Sequence, residues 1–128
     1  MRLLLDTCTF LWIASDAPEL SSRARELFRS PDNDVFLSAA STWEISVKHG
    51  LGRLPLPGTP ETYVPGLRQR HGIEPLAPNE EATLYLGRLP TLHRDPFDRM
   101  LVCQAIVEGM VILTPDGLIT QYPVRSMW

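Results

Sequence analysis

The chain has 128 residues, a net charge of −3, a hydrophobic fraction of 44% and a charged fraction of 21%, the proportions of one globular domain over residues 1–128 with one real core. The pI of about 5.5 argues against a broad basic surface that gathers phosphate. No apolar run reaches the length of a membrane span, Asp6 comes too soon for a signal peptide, and Cys8 and Cys103 form neither a disulfide framework nor a zinc finger, so the expectation is a cytoplasmic protein away from the membrane, with both cysteines buried and reduced.

Leu3-Leu4-Leu5, ending in Asp6, is the first short unalternating apolar run, the pattern of a strand buried on both faces. Leu20, Ala24, Leu27 and Phe28 then share a helical face behind the cap candidate Ser21, with Arg23, Arg25 and Arg29 as solvated residues. Val35-Phe36-Leu37 is a second strand, ending in Ser38. Ala40, Trp43, Val47 and Leu51 form the next helical stripe, and Gly50 marks its end. Residues 53 to 66 are the least regular part: Leu54 to Pro60 reads as loop, and Pro65-Gly66 interrupts a possible helix. Leu76 marks a weaker strand, and Ala82, Leu84, Tyr85 and Leu86 a helix after Pro78. The strongest helical signal opens at Asp95-Pro96-Phe97-Asp98 and closes at Gly109, with Asp95 as N-cap and proline at the first helical position. Met110 to Leu113 is another buried strand, and Val124 to Trp128 a last edge strand. Strands alternating with helices predict an α/β fold, a parallel sheet covered on both faces.

In such a sheet Asp6 follows the first strand and Asp116 follows the strand ending at Leu113, both at the carboxyl edge. Glu44 and Asp98 lie near the starts of helices whose N-termini face the same edge. Four acids from four segments therefore converge where open α/β sheets bind ligands. Such a cluster is costly without protons or cations. Its oxygen-only donors favour magnesium or manganese over zinc, and a cation of that kind can serve phosphodiester cleavage. Thr7 and Thr114 are placed to orient a carboxylate or a water. Each acid also has a local reading. Asp6 can cap a helix, Ser41-x-x-Glu44 matches a capping box, Asp95-x-x-Asp98 loosely resembles one, Glu44 can pair with Lys48, the only lysine, and Asp116-Gly117 can make a turn. His49, His71 and His93 are too far apart for a local metal motif. His93 stands nearest the acids, just before Asp95.

Leu4-Leu5-Asp6-Thr7, Ser41-Thr42-Trp43-Glu44-Ile45, His93-Arg94-Asp95-Pro96-Phe97-Asp98-Arg99-Met100-Leu101 and Ile112-Leu113-Thr114-Pro115-Asp116 resemble, in order, the motifs of PIN domains. The nearest subgroup is the VapC-type toxins of toxin–antitoxin pairs, which the closing Tyr122-Pro123-Val124-Arg125 and Trp128 also resemble. The resemblance covers essentially the whole chain. It implies a three-layer α/β/α domain whose parallel sheet has about five strands, the first and fourth adjacent. It implies that Asp6, Glu44, Asp98 and Asp116 are the catalytic residues and bind magnesium or manganese. It further implies cleavage of single-stranded or loop RNA, often tRNA or rRNA, inhibition by a cognate VapB-type antitoxin, and a homodimer. Pro65-Gly66 departs from the family by breaking a helix it usually keeps, in the region of residues 52 to 72.

Other enzyme classes lack their residues here. There is no phosphate-cradling Gly-x-x-x-x-Gly-Lys and no Gly-x-Gly-x-x-Gly after a strand. The position two after Asp6 holds Cys8 where an aspartyl-phosphatase pattern needs a second aspartate. A response regulator needs a late lysine, and Lys48 comes too early. The alternative of a different kind is a catalytically silent PIN-like module that acts through a protein partner.

Overall fold

A computed structural model describes all of residues 1–128. The strands are β1 (Arg2–Leu5), β2 (Asp34–Ser38), β3 (Glu74–Leu76), β4 (Val111–Leu113) and β5 (Ser126–Met127). The helices are α1 (Thr7–Ser15), α2 (Ser22–Arg29), α3 (Ala39–Gly50), α4 (Pro60–His71), α5 (Glu80–Leu84), α6 (Pro96–Glu108) and α7 (Gly117–Thr120). The five strands pair in the order β3-β2-β1-β4-β5, every pair parallel. Leu3, Leu4 and Leu5 lie opposite Val35, Phe36 and Leu37 on one side and opposite Val111, Ile112 and Leu113 on the other. The first and fourth strands are thus adjacent, as the family resemblance implied. No helix is long and apolar enough to cross a membrane.

Period-two alternation divides the core. Leu3, Leu5, Val111 and Leu113 pack on one face with Phe10, Ile13, Val64 and Leu67 of α1 and α4. Leu4 and Ile112 pack on the other with Leu101, Val102 and Ala105 of α6. This is the expected three-layer arrangement. Each fully buried leucine of β1 contributes roughly 1.5–3 kcal/mol through area removed from water. The last strand is anchored by Trp128, whose ring lies 5.8 Å from that of Trp12.

Local signals account for most helix ends. Ser21 caps α2 by accepting from the Ala24 N–H, and Gly109 closes α6 at φ 66°. Asp95 caps α6, accepting from the N–H groups of Phe97 at 2.9 Å and Asp98 at 3.1 Å.

Four expectations are overturned. The helix around Pro65-Gly66 is unbroken, because α4 runs from Pro60 to His71 with Pro65 inside it. Proline removes one ladder bond there, and burial of Val64 and Leu67 in the core holds the turn regardless. The irregular stretch is therefore shorter than residues 53 to 66. The apolar stripe of α3 does not face the core beyond Ala40: Trp43 and Leu51 are each 62% exposed and Val47 38%. The buried face is Ala40, Ser41, Glu44 and Ile45, which turns a carboxylate inward. The cap of α3 is Ser38, whose Oγ accepts from the Ala40 N–H at 3.0 Å, so Ser41 and Glu44 form no capping box. Lastly, Cys103 is buried as expected, but Cys8 is exposed.

Candidate functional site

The carboxyl edge between β1 and β4, where the strand order β3-β2-β1-β4-β5 reverses, is the topological switch of the sheet. Asp6 leaves β1 directly into it and is 4% exposed. Its Oδ1 accepts from the Thr9 N–H at 2.6 Å, which makes it the N-cap of α1. Its Oδ2 accepts from the Thr114 hydroxyl at 2.5 Å. Thr114 Oγ1 in turn accepts from the Asp116 N–H at 3.0 Å, and the Thr9 hydroxyl donates to the Leu113 carbonyl at 2.9 Å. Four short bonds thus tie the carboxyl ends of two adjacent strands into one rigid corner. Burial pushes the Asp6 carboxyl above its ordinary value, against the Thr114 and Thr9 hydrogen bonds, and the charge of Asp116 adds to the rise.

Glu44 enters from α3 and is 5% exposed. Its Oε1 accepts from the Thr7 hydroxyl at 2.6 Å and its Oε2 from Lys48 Nζ at 2.5 Å, one turn on. The hydrogen bond to Glu44 holds the Lys48 ammonium above its ordinary pKa. Both hydroxyls singled out in the sequence therefore orient carboxylates, Thr7 on Glu44 and Thr114 on Asp6. Asp116 caps α7, accepting from the Leu118 N–H at 2.9 Å.

Asp98 is the third residue of α6, where the helix N-terminus favours negative charge. Its carboxyl nonetheless rises to about 6. Burial is the main cause, the charges of Asp95, Glu44 and Asp116 add to it, and the His93 hydrogen bond opposes it. That Glu44 and Asp116 act on Asp98, and Asp116 on Asp6, is the electrostatic mark of four acids sharing one corner. Cys8 feels the same field. Burial of the thiol, though the residue presents surface to solvent, and then the charges of Asp6 and Glu44 push it up to about 11, which leaves it a poor nucleophile.

The donors are oxygens of carboxylates, the kind a hard divalent cation takes, with no sulfur or imidazole set to compete. In kind they fit magnesium or manganese. In the side-chain arrangement seen, each acid is turned to an internal partner, and no three His, Cys, Asp or Glu side chains are gathered as one ion would need. Glu44 is the acid whose partner is itself a cation.

Two polar residues near the corner carry no local signal in the sequence. Tyr122 is 3% exposed, and its hydroxyl meets the His93 ring at 2.7 Å. Gln104 accepts from the Ser38 hydroxyl at 2.5 Å, joining α6 to the end of β2. Both partners are 29 or more residues distant, beyond the reach of any spacing rule.

The PIN domain family model matches residues 3–123. Ribonuclease VapC16 of Mycobacterium tuberculosis is 35% identical over 69 residues, a match covering 54% of this chain and 49% of that protein. The chain thus spans about half the length of the curated relative it matches. Among solved structures, VapBC2 from Rickettsia felis, bound to a DNA fragment from its promoter, superposes with a TM-score of 0.75 at 18% identity, covering 99% of this chain and 98% of that one. DNA-bound VapBC from Salmonella typhimurium gives 0.68 at 19% identity, covering 99% and 97%. At such identities these likenesses establish the shared fold.

Proposed function

The chain belongs to the PIN domain family, and on that premise we propose that residues 1–128 are a single domain acting as a divalent-metal-dependent endoribonuclease, the VapC-type toxin of a toxin–antitoxin pair. The observation that carries this reading is the corner itself: Asp6, Glu44, Asp98 and Asp116 come from four segments, and the charges of Glu44 and Asp116 add to the rise of the Asp98 carboxyl as that of Asp116 does for Asp6. These four are the proposed metal ligands and catalytic residues. Bound there, magnesium or manganese supplies an activated water and offsets the charge that develops as a phosphodiester is hydrolysed. The chain's own part is to hold the acids in place. Thr114 and the Thr9 N–H fix both oxygens of Asp6, and Thr7 fixes one oxygen of Glu44.

The substrate of this reading is single-stranded or loop RNA, of the tRNA or rRNA kind, whose unstacked bases leave the phosphate accessible. The partner is a VapB-type antitoxin, by analogy with the VapBC complexes that share the fold. Its arginine or lysine enters toward Asp6 and Asp98 and competes with the cation. The active form is a cytoplasmic homodimer. Purified protein should cut RNA with unpaired loops in magnesium or manganese, and sequencing the ends of total RNA after brief expression should show a few discrete sites. Intact RNA under both conditions would contradict the reading.

One observation favours the silent binding module instead, because Lys48 already neutralises Glu44. A cation site needs that pair to open. Lys48→Met should lower the thermal stability of the metal-free protein and tighten manganese binding by roughly five- to tenfold, since it removes one unit charge from a partly solvated pair. Calorimetric titration measures this. Unchanged binding would mean that Glu44 takes no part in holding the ion.

A further inference from the structure

The surroundings of Asp98 contain a hydrogen-bond chain whose directions can be worked out atom by atom. Tyr122 Oη has one hydrogen and two lone pairs. Two groups near it can only donate: Arg99 Nη1 at 3.0 Å and the His93 backbone N–H at 3.2 Å. They take both lone pairs. The one remaining polar neighbour is His93 Nδ1 at 2.7 Å, so the tyrosine hydrogen is donated to that nitrogen. A neutral imidazole that accepts at Nδ1 carries its proton on Nε2. Nε2 lies 3.2 Å from Asp98 Oδ2 and donates to it.

We propose that Tyr122 and Arg99 fix the tautomer of His93, and that His93, through Nε2–H, is the positioning residue that holds Asp98 in the acid corner. The proposal deepens the metal-site reading and rests on it for the role of Asp98. Arg99 is itself anchored. Its Nη1 also donates to the Pro90 carbonyl at 2.9 Å, and its guanidinium lies 5.9 Å from the centre of the Tyr122 ring. The His93 side chain is 10% exposed and that of Asp98 16%, so little water competes for these bonds. Tyr122 closely follows α7, the helix that Asp116 caps, while Asp98 and Arg99 open α6. One hydroxyl therefore couples the segments that carry two of the four acids. Carboxylates that bind metals are held by such outer partners, and loss of one reduces affinity by about 10- to 100-fold.

The test is long-range ¹⁵N–¹H correlation spectroscopy of the His93 ring, at a pH where it is neutral, in the wild type and in Tyr122→Phe, with manganese titrations of both. The wild type should show the Nε2–H tautomer alone. Tyr122→Phe, which leaves Nδ1 without a donor, should show a mixture and bind manganese about tenfold more weakly. Should Tyr122→Phe fail to fold, Arg99→Met serves instead: it frees a lone pair on Tyr122 Oη, lets Nδ1–H donate there, and should also give a mixture. An Nδ1–H or mixed tautomer in the wild type, or a variant spectrum identical to the wild type, would overturn the proposal. A wild type that binds no manganese yet shows the single Nε2–H tautomer would overturn the metal reading and leave the tautomer lock standing.

Discussion

Asp98→Asn should reduce metal-dependent RNA cleavage by at least about 100-fold, the upper end of what outer partners of metal ligands contribute, while the protein stays folded. The two acids of this turn do different work. Asp95 takes the cap, with its side chain on the N–H groups of Phe97 and Asp98. Asp98 makes no cap bond; its carboxylate meets His93 and lies in the field of Glu44 and Asp116. Asparagine keeps the shape of Asp98 and removes a charge that burial and neighbours already disfavour, so the metal-free protein should lose no stability. Asp95→Asn should cap about as well as aspartate and retain activity, and Asp95→Ala should lose about 1 kcal/mol of stability. Thermal unfolding, manganese titration and RNA cleavage on the three variants check this. Equal loss of cleavage in Asp95→Asn and Asp98→Asn would place Asp95 in the site and end its assignment as a structural cap.

Chelation should abolish cleavage outright, and restoring magnesium or manganese should recover it with a pH dependence set by Asp98. Its carboxyl stands at about 6, with an ordinary value of 3.8. Below about pH 6 a proton competes with the cation, so affinity and cleavage should rise from about pH 5 to 7 and level off above. Stability of the metal-free protein should run the other way. The folded state holds this proton more tightly than the unfolded chain does. Its contribution therefore declines as pH rises from the ordinary carboxylate value through about 6, and is constant above. Asp6, also raised, acts with the same sign. Saturating manganese should remove the decline, because an ion that binds only the folded state stabilises it. Activity in excess chelator, or a flat profile between pH 5 and 7, would contradict the metal mechanism.

Strands β1, β2 and β4 were legible because each is a short apolar run that ends in an acid or a hydroxyl, and parallel pairing then sets every such end on one edge. That is why Asp6 and Asp116 could be placed from spacing alone. The face of α3 was not legible. Periodicity finds the apolar residues Trp43, Val47 and Leu51, but not that the sheet edge takes the opposite side, with Ser41 and Glu44. Pro65 reads as a breaker because local rules omit the burial of Val64 and Leu67 on either side of it. Cys8 was misplaced for a similar reason: residue type does not reveal which positions of α1 reach solvent. The pairing of Glu44 with Lys48 was visible as an i, i+4 spacing. The bonds from Tyr122 to His93 and Arg99 were not, since only the folded chain brings residues 23 and 29 positions apart together.

If Asp6, Glu44, Asp98 and Asp116 together hold a divalent cation, anomalous diffraction from a manganese-soaked crystal of the wild-type protein should show a manganese peak among these four carboxylates, with Glu44 released from Lys48. A fully soaked crystal with no peak there, and with the Glu44–Lys48 pair intact, would contradict that assignment.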